Sequence, residues 1–378
     1  KGYLKTDPSY MINRDQMFLE SSKWASQVCL DIINGNTNYL KKLPSSTSAD
    51  IKIVPTNLEF LIFLFKSNLK KISIFFDKVF FFDYWNIGIV SKDISSFLET
   101  NQKFDVKWFP LKNKKRFLAD PFGISEGNGI HIFFEEYSYD EGKGKISYTL
   151  YKEGDFTESK IIIEEDFHLS YPFIIEHNDE KYIVPESFEA NKIIIYKAIE
   201  FPYKWEKINT IINNYSGVDN TIIYYEDLWW LFTSNYNEGS SHNLNLFFTG
   251  DLLGEWKPHP QNPIKTDIRS SRSAGTPFVH KGSLYRPSMN YSIKNEGSIC
   301  INKVNVLTRL KYDESFVSET LPNEKSFFSD KTHHLSSVGK HTLIDGCKKV
   351  FIFSDFNILY HQVNLILKKI IRTFNLSK

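Results

Sequence analysis

A chain of 378 residues with 41% hydrophobic composition can bury one large core or two smaller ones, and needs neither disulfides nor a structural metal to do so. A formal net charge of +1 excludes the overall basic field that draws in nucleic acid. Cys29, Cys300 and Cys347 are far apart and lack CxxC spacing, which excludes a disulfide framework and a zinc motif and points to a reducing, cytoplasmic setting. A start at Lys1 with no charged-then-apolar leader fits a processed chain or a piece of a longer one. Aromatic residues make up 16% of the chain, and such rings favour half-buried strands.

From Asp15 to Ile33, Phe18, Leu19, Ala25, Val28, Cys29, Ile32 and Ile33 recur at three-to-four spacing, which predicts an amphipathic helix ended by Asn34-Gly35. The polar stretch PSSTSAD, residues 44–50, reads as a linker. A second helix is predicted from Thr56 or Asn57 towards Phe82, with Lys66, Lys70, Lys71 and Lys78 interrupting its apolar run. Those charges argue against a membrane span, which needs about 20 largely uncharged residues. Two readings stand: a basic amphipathic helix lying on a membrane surface, or a helix packed on the main domain. The stretch 357–374 has the same character and the same two readings, so residues 1–84 form a helical extension and 357–378 a C-terminal helix.

Between residues 86 and 352 the pattern changes to short β runs that repeat. Related openings occur as ADPF at 119, SYPF at 170, VDNT at 218, AGTP at 274 and HHLS at 333. Each precedes a turn and an apolar strand, namely IHIFFEE, KYIVPES, LWWLFTS, SLYRPSMN and KKVFIFSD. With Pro121, Pro172, Asn220 and Pro277 as markers, the steps are 51, 48 and 57 residues (172−121, 220−172, 277−220). Such steps match a four-stranded blade with its loops, so the expected fold is mainly β, a five-bladed β-propeller over 85–356. A two-sheet sandwich or a parallel solenoid suits the spacing less well. The last blade is short of outer strands, and either WNIGIVS at 85–91 or VKWFPL at 106–111 is expected to complete it and close the ring.

In a propeller the residues that open each blade face one another across the axis. Asp120, Asp219, Arg272 and His333 or His334 would then approach one cavity, with Glu136 and Glu186 near its mouth. Two or three carboxylates around one pocket suit glycosidic chemistry, in which one donates a proton and another assists water or attacks the sugar. Crowding raises the proton affinity of one of them and separates their roles.

The opening ADPFG resembles the first-blade Asp-Pro of the five-bladed furanosidase-type glycoside hydrolases, the superfamily of families 32, 43, 62 and 68. The ordered series LADPF, FFEE, SYPF, VPES, FPYKW, VDNT, WWLF, GEWKPHPQNPI, RSAG, YRPSMN and HHLSSVG, over roughly 85–350, is similar to the N-terminal domain of glucosamine inositolphosphorylceramide transferases. Bacterial relatives of that domain occur beside formyltransferase-like domains, and the helix at 15–33 looks like the tail of one. The resemblance implies Asp120 as base or nucleophile, Glu186 as acid and Asp219 as the group that tunes its proton affinity. Arg272 and Arg286 would hold anionic or hydroxyl groups of the substrate, phosphates included if the donor is a nucleotide sugar. His333 and His334 would line the far wall.

Plainer readings stand beside each role. Asp120 and Asp219 are also good turn formers, and Glu186 is also a candidate for an ion pair with the next blade. Glu135 and Glu136 alternate faces, so one of them points away from the cavity. Trp205, Trp229, Trp230 and Trp256 read as blade-packing residues. Adjacent His333 and His334 point to opposite faces with no third ligand evident, so neither a catalytic metal nor any other cofactor is expected. The run KNKKR at 112–116 reads as a solvated loop, and no nucleic-acid partner is expected. The expected function is glycosyl transfer in surface-polysaccharide or glycolipid assembly, near a lipid-linked acceptor on the inner face of a membrane. The alternatives are a family 43-like hydrolase, or a non-catalytic glycan-binding propeller that supports a partner domain such as a formyltransferase.

Overall fold

The computed structural model describes residues 3–4, 6–33, 35, 37–41, 54–100, 104–111, 113, 115–292, 297–351 and 363. The expected linker at 44–50, and the expected helix at 357–378 apart from residue 363, lie outside the described residues. The chain divides into a helical unit, Thr6–Phe81, and a second unit of Lys1–Lys5 with Phe82–Lys378.

The helical unit contains α1, Tyr10–Ile33, and α2, Asn57–Phe80. α1 begins five residues before the predicted start. α2 begins where it does because Thr56 and Glu59 satisfy each other's backbone donors: Glu59 N donates to Thr56 Oγ1 (3.3 Å) and Thr56 N to Glu59 Oε2 (2.8 Å). The same apolar run does not continue as helix, and from Phe81 it becomes a strand.

The second unit is a five-bladed propeller. Blade I is built from Arg116–Glu126, Gly129–Ser138, Lys143–Lys152 and Asp155–Phe156. Blade II comprises Ser170–His177, Glu180–Glu186, Lys192–Glu200 and Lys204–Asn213. Blade III runs through Gly217–Tyr225, Leu228–Asn235, Asn243–Thr249 and Lys257–Pro258. Blade IV uses Phe278–His280, Ser283–Asn290, Ser298–Leu307 and Tyr312–Thr320. Blade V takes only its two inner strands, Leu335–Val338 and His341–Phe351, from the end of the chain. Its outer strands, Phe81–Val90 and Lys107–Trp108, come from before blade I. Both early segments therefore complete the last blade, rather than one or the other.

Hydrophobic clusters fill the spaces between neighbouring blades. Phe133 and Ile146 of blade I meet Ile183 and Ile194 of blade II. Ile195 of blade II packs with Leu231 of blade III, and Phe232 of blade III with Leu284 of blade IV. Ile301 of blade IV meets Ile344 of blade V, and Ile87 of blade V meets Leu118 of blade I. Alternate residues of one strand serve opposite neighbours, with Ile193 and Ile195 facing blade III and Ile194 and Tyr196 facing blade I. That explains why KIIIYKA reads as a continuous apolar run: both faces are buried.

Candidate active site

The repeated openings share one backbone device. Asp120, Tyr171 and Asp219 are left-handed, with φ of 52°, 45° and 51°, and Gly275 takes the equivalent place at 120°. Around the first three the pairing with the second strand slips, between Ala119 and Phe122, Ser170 and Phe173, and Val218 and Thr221. Each is a bulge that bends the inner strand and re-aims a side chain. Pro121 and Pro172 fit there because a proline forfeits no ladder hydrogen bond where the ladder is already broken. Left-handed backbone costs an L residue roughly 1–2 kcal/mol, so three such residues in register mark where the fold tolerates strain around its axis.

Asp120 is buried in a corner shaped by blade V. Its Oδ1 has no hydrogen-bond partner among the described residues, while His334 Nδ1 lies 3.4 Å away and His333 Nδ1 4.0 Å away. Asp345 organises this corner: its Oδ1 accepts from the backbone N–H groups of His333 (2.9 Å) and His334 (3.1 Å), and its Oδ2 lies against His333 Nδ1. His333 stacks on Trp85 with ring centroids 4.0 Å apart. Burial pushes Asp120 up, but His333, His334 and Arg272 together outweigh it and hold the carboxyl below its ordinary range. Burial disfavours the His333 cation, yet Asp345 and Asp120 raise its pKa to about 9.

The second cluster joins blades II, III and IV. Glu186 Oε2 accepts from Asp219 N (3.0 Å), and Arg272 binds the Asp219 carboxylate through Nε and Nη2, the latter at 3.4 Å from Oδ1. Arg272 Nη2 stands 3.9 Å from Glu186 Oε2. Burial first, and Asp219 second, push the Glu186 carboxyl well above the ordinary range. Tyr171 adds no charge but ties blades together, accepting from Gly275 N (2.7 Å) and sharing a hydrogen bond with Thr221 (2.8 Å).

Glu135 links the two clusters. It is buried, and burial together with Asp120, Glu186, Asp219 and Asp345 raises its proton affinity strongly. His168 Nδ1 accepts from Gly144 N (3.0 Å), which leaves its proton on Nε2, 3.4 Å from Glu135 Oε1. A Cβ on Gly144 would lie 2.5 Å from the Leu169 carbonyl oxygen and 2.7 Å from Glu135 Oε1, so this close approach requires glycine. A small cavity lined by Trp85, Met289, Asn290, Tyr291, Lys331 and His333 opens beside the Asp120 corner.

Several expected roles need correction. Glu136, expected at the mouth, instead pairs with Arg116 (2.6 Å) and accepts from Ser147 (3.0 Å), because strand alternation turns it away and Glu135 inward. Arg286 does not face substrate: it is fully buried, bound to Glu314 through Nε and Nη2 (3.0 and 2.7 Å) and to the carbonyls of Ser270 and Ser271. Arg272 is near the cavity but already committed to Asp219 and Glu186. His334 lines no open wall; it is wholly buried beneath Asp120 against Phe122, ring centroids 4.4 Å apart. A different cluster of possible donors does occur among the described residues: Asp120, His333 and Asp345 offer donor atoms within 4.8 Å of one another, and His334 is not part of it. A cation there would need His333 Nδ1, which faces Asp345, to be free of its proton.

Asp345 and Glu135 were not among the expected site residues. Glu135 carries a usable signal: Asp120 to Glu135, Tyr171 to Glu186 and Asp219 to Ser234 are each 15 residues apart. The repeat period thus selects Glu135 over Glu136. Asp345 has no such signal, because blade V opens without the left-handed bulge that sets the interval elsewhere.

Residues 110–341, more than half the chain, match the family described as glucosamine inositolphosphorylceramide transferase 1, N-terminal. The Arabidopsis thaliana protein of that name is 33% identical over 246 residues, covering 61% of this chain and 32% of its own length. The Oryza sativa subsp. japonica protein is 30% identical over 246 residues, covering 61% and 33%. This chain therefore spans about a third of those relatives. Among solved structures, a family 117 glycoside hydrolase from Zobellia galactanivorans aligns with a TM-score of 0.45 at 13% identity, covering 71% of this chain and 91% of its own. The catalytic domain of a Coprinopsis cinerea GH62 α-L-arabinofuranosidase gives 0.46 at 10%, covering 64% and 87%. At that distance neither carries an argument about chemistry. The sequence match is of another order, and by it the chain belongs to the family of glucosamine inositolphosphorylceramide transferase 1 N-terminal domains.

Proposed function

We propose that the inner strands around Asp120 and Glu186 act on a glycosidic bond, with Asp120 as the ionised carboxylate and Glu186 as the proton donor, in sugar transfer during surface-glycan or glycolipid assembly. One observation carries this reading: two buried carboxyls on the inner strands of adjacent blades are pushed in opposite directions, Asp120 below the ordinary range and Glu186 above it. Glycosidic chemistry needs that division. Glu186 gives its proton to the departing oxygen as the bond to the anomeric carbon breaks. Asp120 Oδ1 either takes the proton of the attacking hydroxyl or itself bonds to that carbon. Asp219, fixed by Arg272, maintains the negative charge that keeps Glu186 protonated.

Charge also bears on the substrate. The cations named around the cavity are already engaged, Arg272 with Asp219, His333 with Asp345 and Lys331 with Asp83 (2.7 Å). That arrangement disfavours a diphosphate and suits a sugar that is uncharged or bears an ammonium group. Glucosamine, in the relatives' name, falls in that class. Their name also speaks of transfer, which favours a sugar or lipid hydroxyl over water as acceptor.

The test incubates the full chain with aryl glycosides of glucosamine, N-acetylglucosamine and pentofuranoses, with and without a sugar acceptor, and follows release and transfer. Asp120→Asn and Glu186→Gln should each lower turnover at least about a hundredfold while ligand binding survives. Release without transfer would make the protein a hydrolase. No turnover by the unaltered protein, with equal glycan binding in both variants, would instead leave a glycan-binding module.

A further inference from the structure

A run of exposed apolar residues belongs to α2. Leu58, Leu61, Phe65, Leu69, Ile72 and Phe76 follow spacings of three and four, so they share one side of the helix, and each is between 50% and 68% exposed. Lys70, Lys71 and Lys78 fall on the opposite side, with Glu59, Asp77 and above all Lys66 towards one edge. Ser67, also on the polar side, donates to the Pro8 carbonyl (2.5 Å), so the helical unit holds α2 by the side that carries its charges. Among the described residues of the helical unit, the apolar stripe is exposed.

We propose that α2 is an in-plane membrane anchor, which lays its 58–76 stripe into the boundary between headgroups and acyl chains of an anionic leaflet. Three features of the helix favour lipid over another protein. Four lysines against Glu59 and Asp77 leave a net positive helix, complementary to anionic headgroups. Ile62 and Phe75 widen the apolar surface on either side of the stripe and are themselves about half exposed, while Phe60 and Phe63 lie on the lysine side; a broad arc suits immersion better than a narrow groove. An identical copy of α2 docked on the stripe would bring no net complementary charge to the lysines. No helix of the described residues is long and apolar enough to cross a membrane, and this one has no need to: the stripe extends roughly 27 Å along the axis, lying flat. Lysine stems at the borders can follow the apolar surface while their ammonium groups reach the phosphates.

The experiment floats the full chain with vesicles of zwitterionic phospholipid alone, or containing roughly a third anionic phospholipid. The protein should float with the anionic vesicles, and less so at high salt. Combined Phe65→Ser, Leu69→Ser and Phe76→Ser should lower the bound fraction at least about tenfold. Combined Lys66→Glu, Lys70→Glu and Lys71→Glu should remove the preference for anionic lipid. An unchanged unfolding transition of the propeller would show that the variants remain folded. If they do not, amide exchange of the unaltered protein decides: residues 57–80 should become protected when anionic vesicles are added. Absence of flotation and of protection overturns the proposal, as does undiminished binding by the serine variant. A dimer that the serine variant dissociates, with no capture by vesicles, would likewise overturn it in favour of self-association.

Discussion

Asp120 and Glu186 are both buried carboxyls, so burial alone cannot give them different roles. What separates them is the neighbour: two histidines stand beside Asp120, whereas Glu186 sits against the charge of Asp219 with Arg272 turned mainly to the latter. Glu135 has no such cation, and burial with the surrounding carboxylates pushes its carboxyl well above the ordinary range. A carboxyl whose folded-state pKa exceeds its unfolded value binds its proton more tightly when folded, so stability falls as pH rises from about 4.3 towards the raised value. Glu135→Gln should therefore stabilise the protein at pH 7 by about 1–3 kcal/mol, and the gain should vanish near pH 4. Urea unfolding at the two pH values checks this, and an equal gain at both would remove the charge explanation. His333 acts in the same direction: its contribution is present below about 6.5, the usual histidine value, and is lost as pH rises through about 9. Not all of this was legible beforehand. The openings ADPF and VDNT exposed Asp120 and Asp219, but Arg286 looked like a substrate ligand because its partner Glu314 lies on another strand of blade IV, 28 residues away.

At the scale of the element, the left-handed bulge explains why four openings of different composition behave alike. Asp tolerates that backbone, glycine adopts it without penalty, and Tyr171 is held there by the hydrogen bonds of its hydroxyl to Thr221 and the Gly275 backbone. Sequence comparison caught the recurrence of the openings but not its cause, since a backbone angle shared by Asp, Tyr and Gly leaves no common side chain. Gly275 is the place where this can be tested. Leu335 N donates to Ala274 O (2.8 Å) and Thr276 N to Leu335 O (3.1 Å), joining blades IV and V beside the axis. A Cβ on Gly275 would sit 1.8 Å from Leu335 O, an overlap only a backbone shift can relieve. Gly282 has a φ of 74° but open space around it, so Gly282→Ala isolates the cost of the angle, about 1 kcal/mol. Gly275→Ala should cost about 3 kcal/mol or more, a drop of roughly 6–12 °C in Tm. Equal losses in the two variants would mean that the approach of blades IV and V tolerates a methyl group.

For the whole molecule, stability depends on closing the ring, and the sequence pattern anticipated this without showing how much of blade V comes from early in the chain. Ile87, Ile89 and Val90 are at most 2% exposed, and they fill the spaces between blade V and both its neighbours. Ile87 and Ile89 pack with Leu118 of blade I, while Val90 packs with Leu335 and Phe278. The span that matches the family, residues 110–341, begins after these strands and stops at the first residue of the strand His341–Phe351. Cut to that span, the chain would keep blades I to IV but only the innermost strand of blade V, exposing one face of blade I and one of blade IV along with unpaired strand edges. Burying an Ile, Leu or Val contributes about 1.5–3 kcal/mol, and ten or so such residues lose their partners here, which exceeds the 5–15 kcal/mol that holds a domain together. A protein of residues 81–351 should therefore unfold cooperatively in urea, whereas one of residues 110–341 should aggregate or show no cooperative transition. Mixing the shorter chain with a peptide of residues 81–111 should not rescue it, because the strand His341–Phe351 that must lie between them is also gone. A cooperative transition in the shorter protein, with amide protection in blades I and IV equal to that of the longer one, would show that an open ring of blades is stable and that closure contributes little.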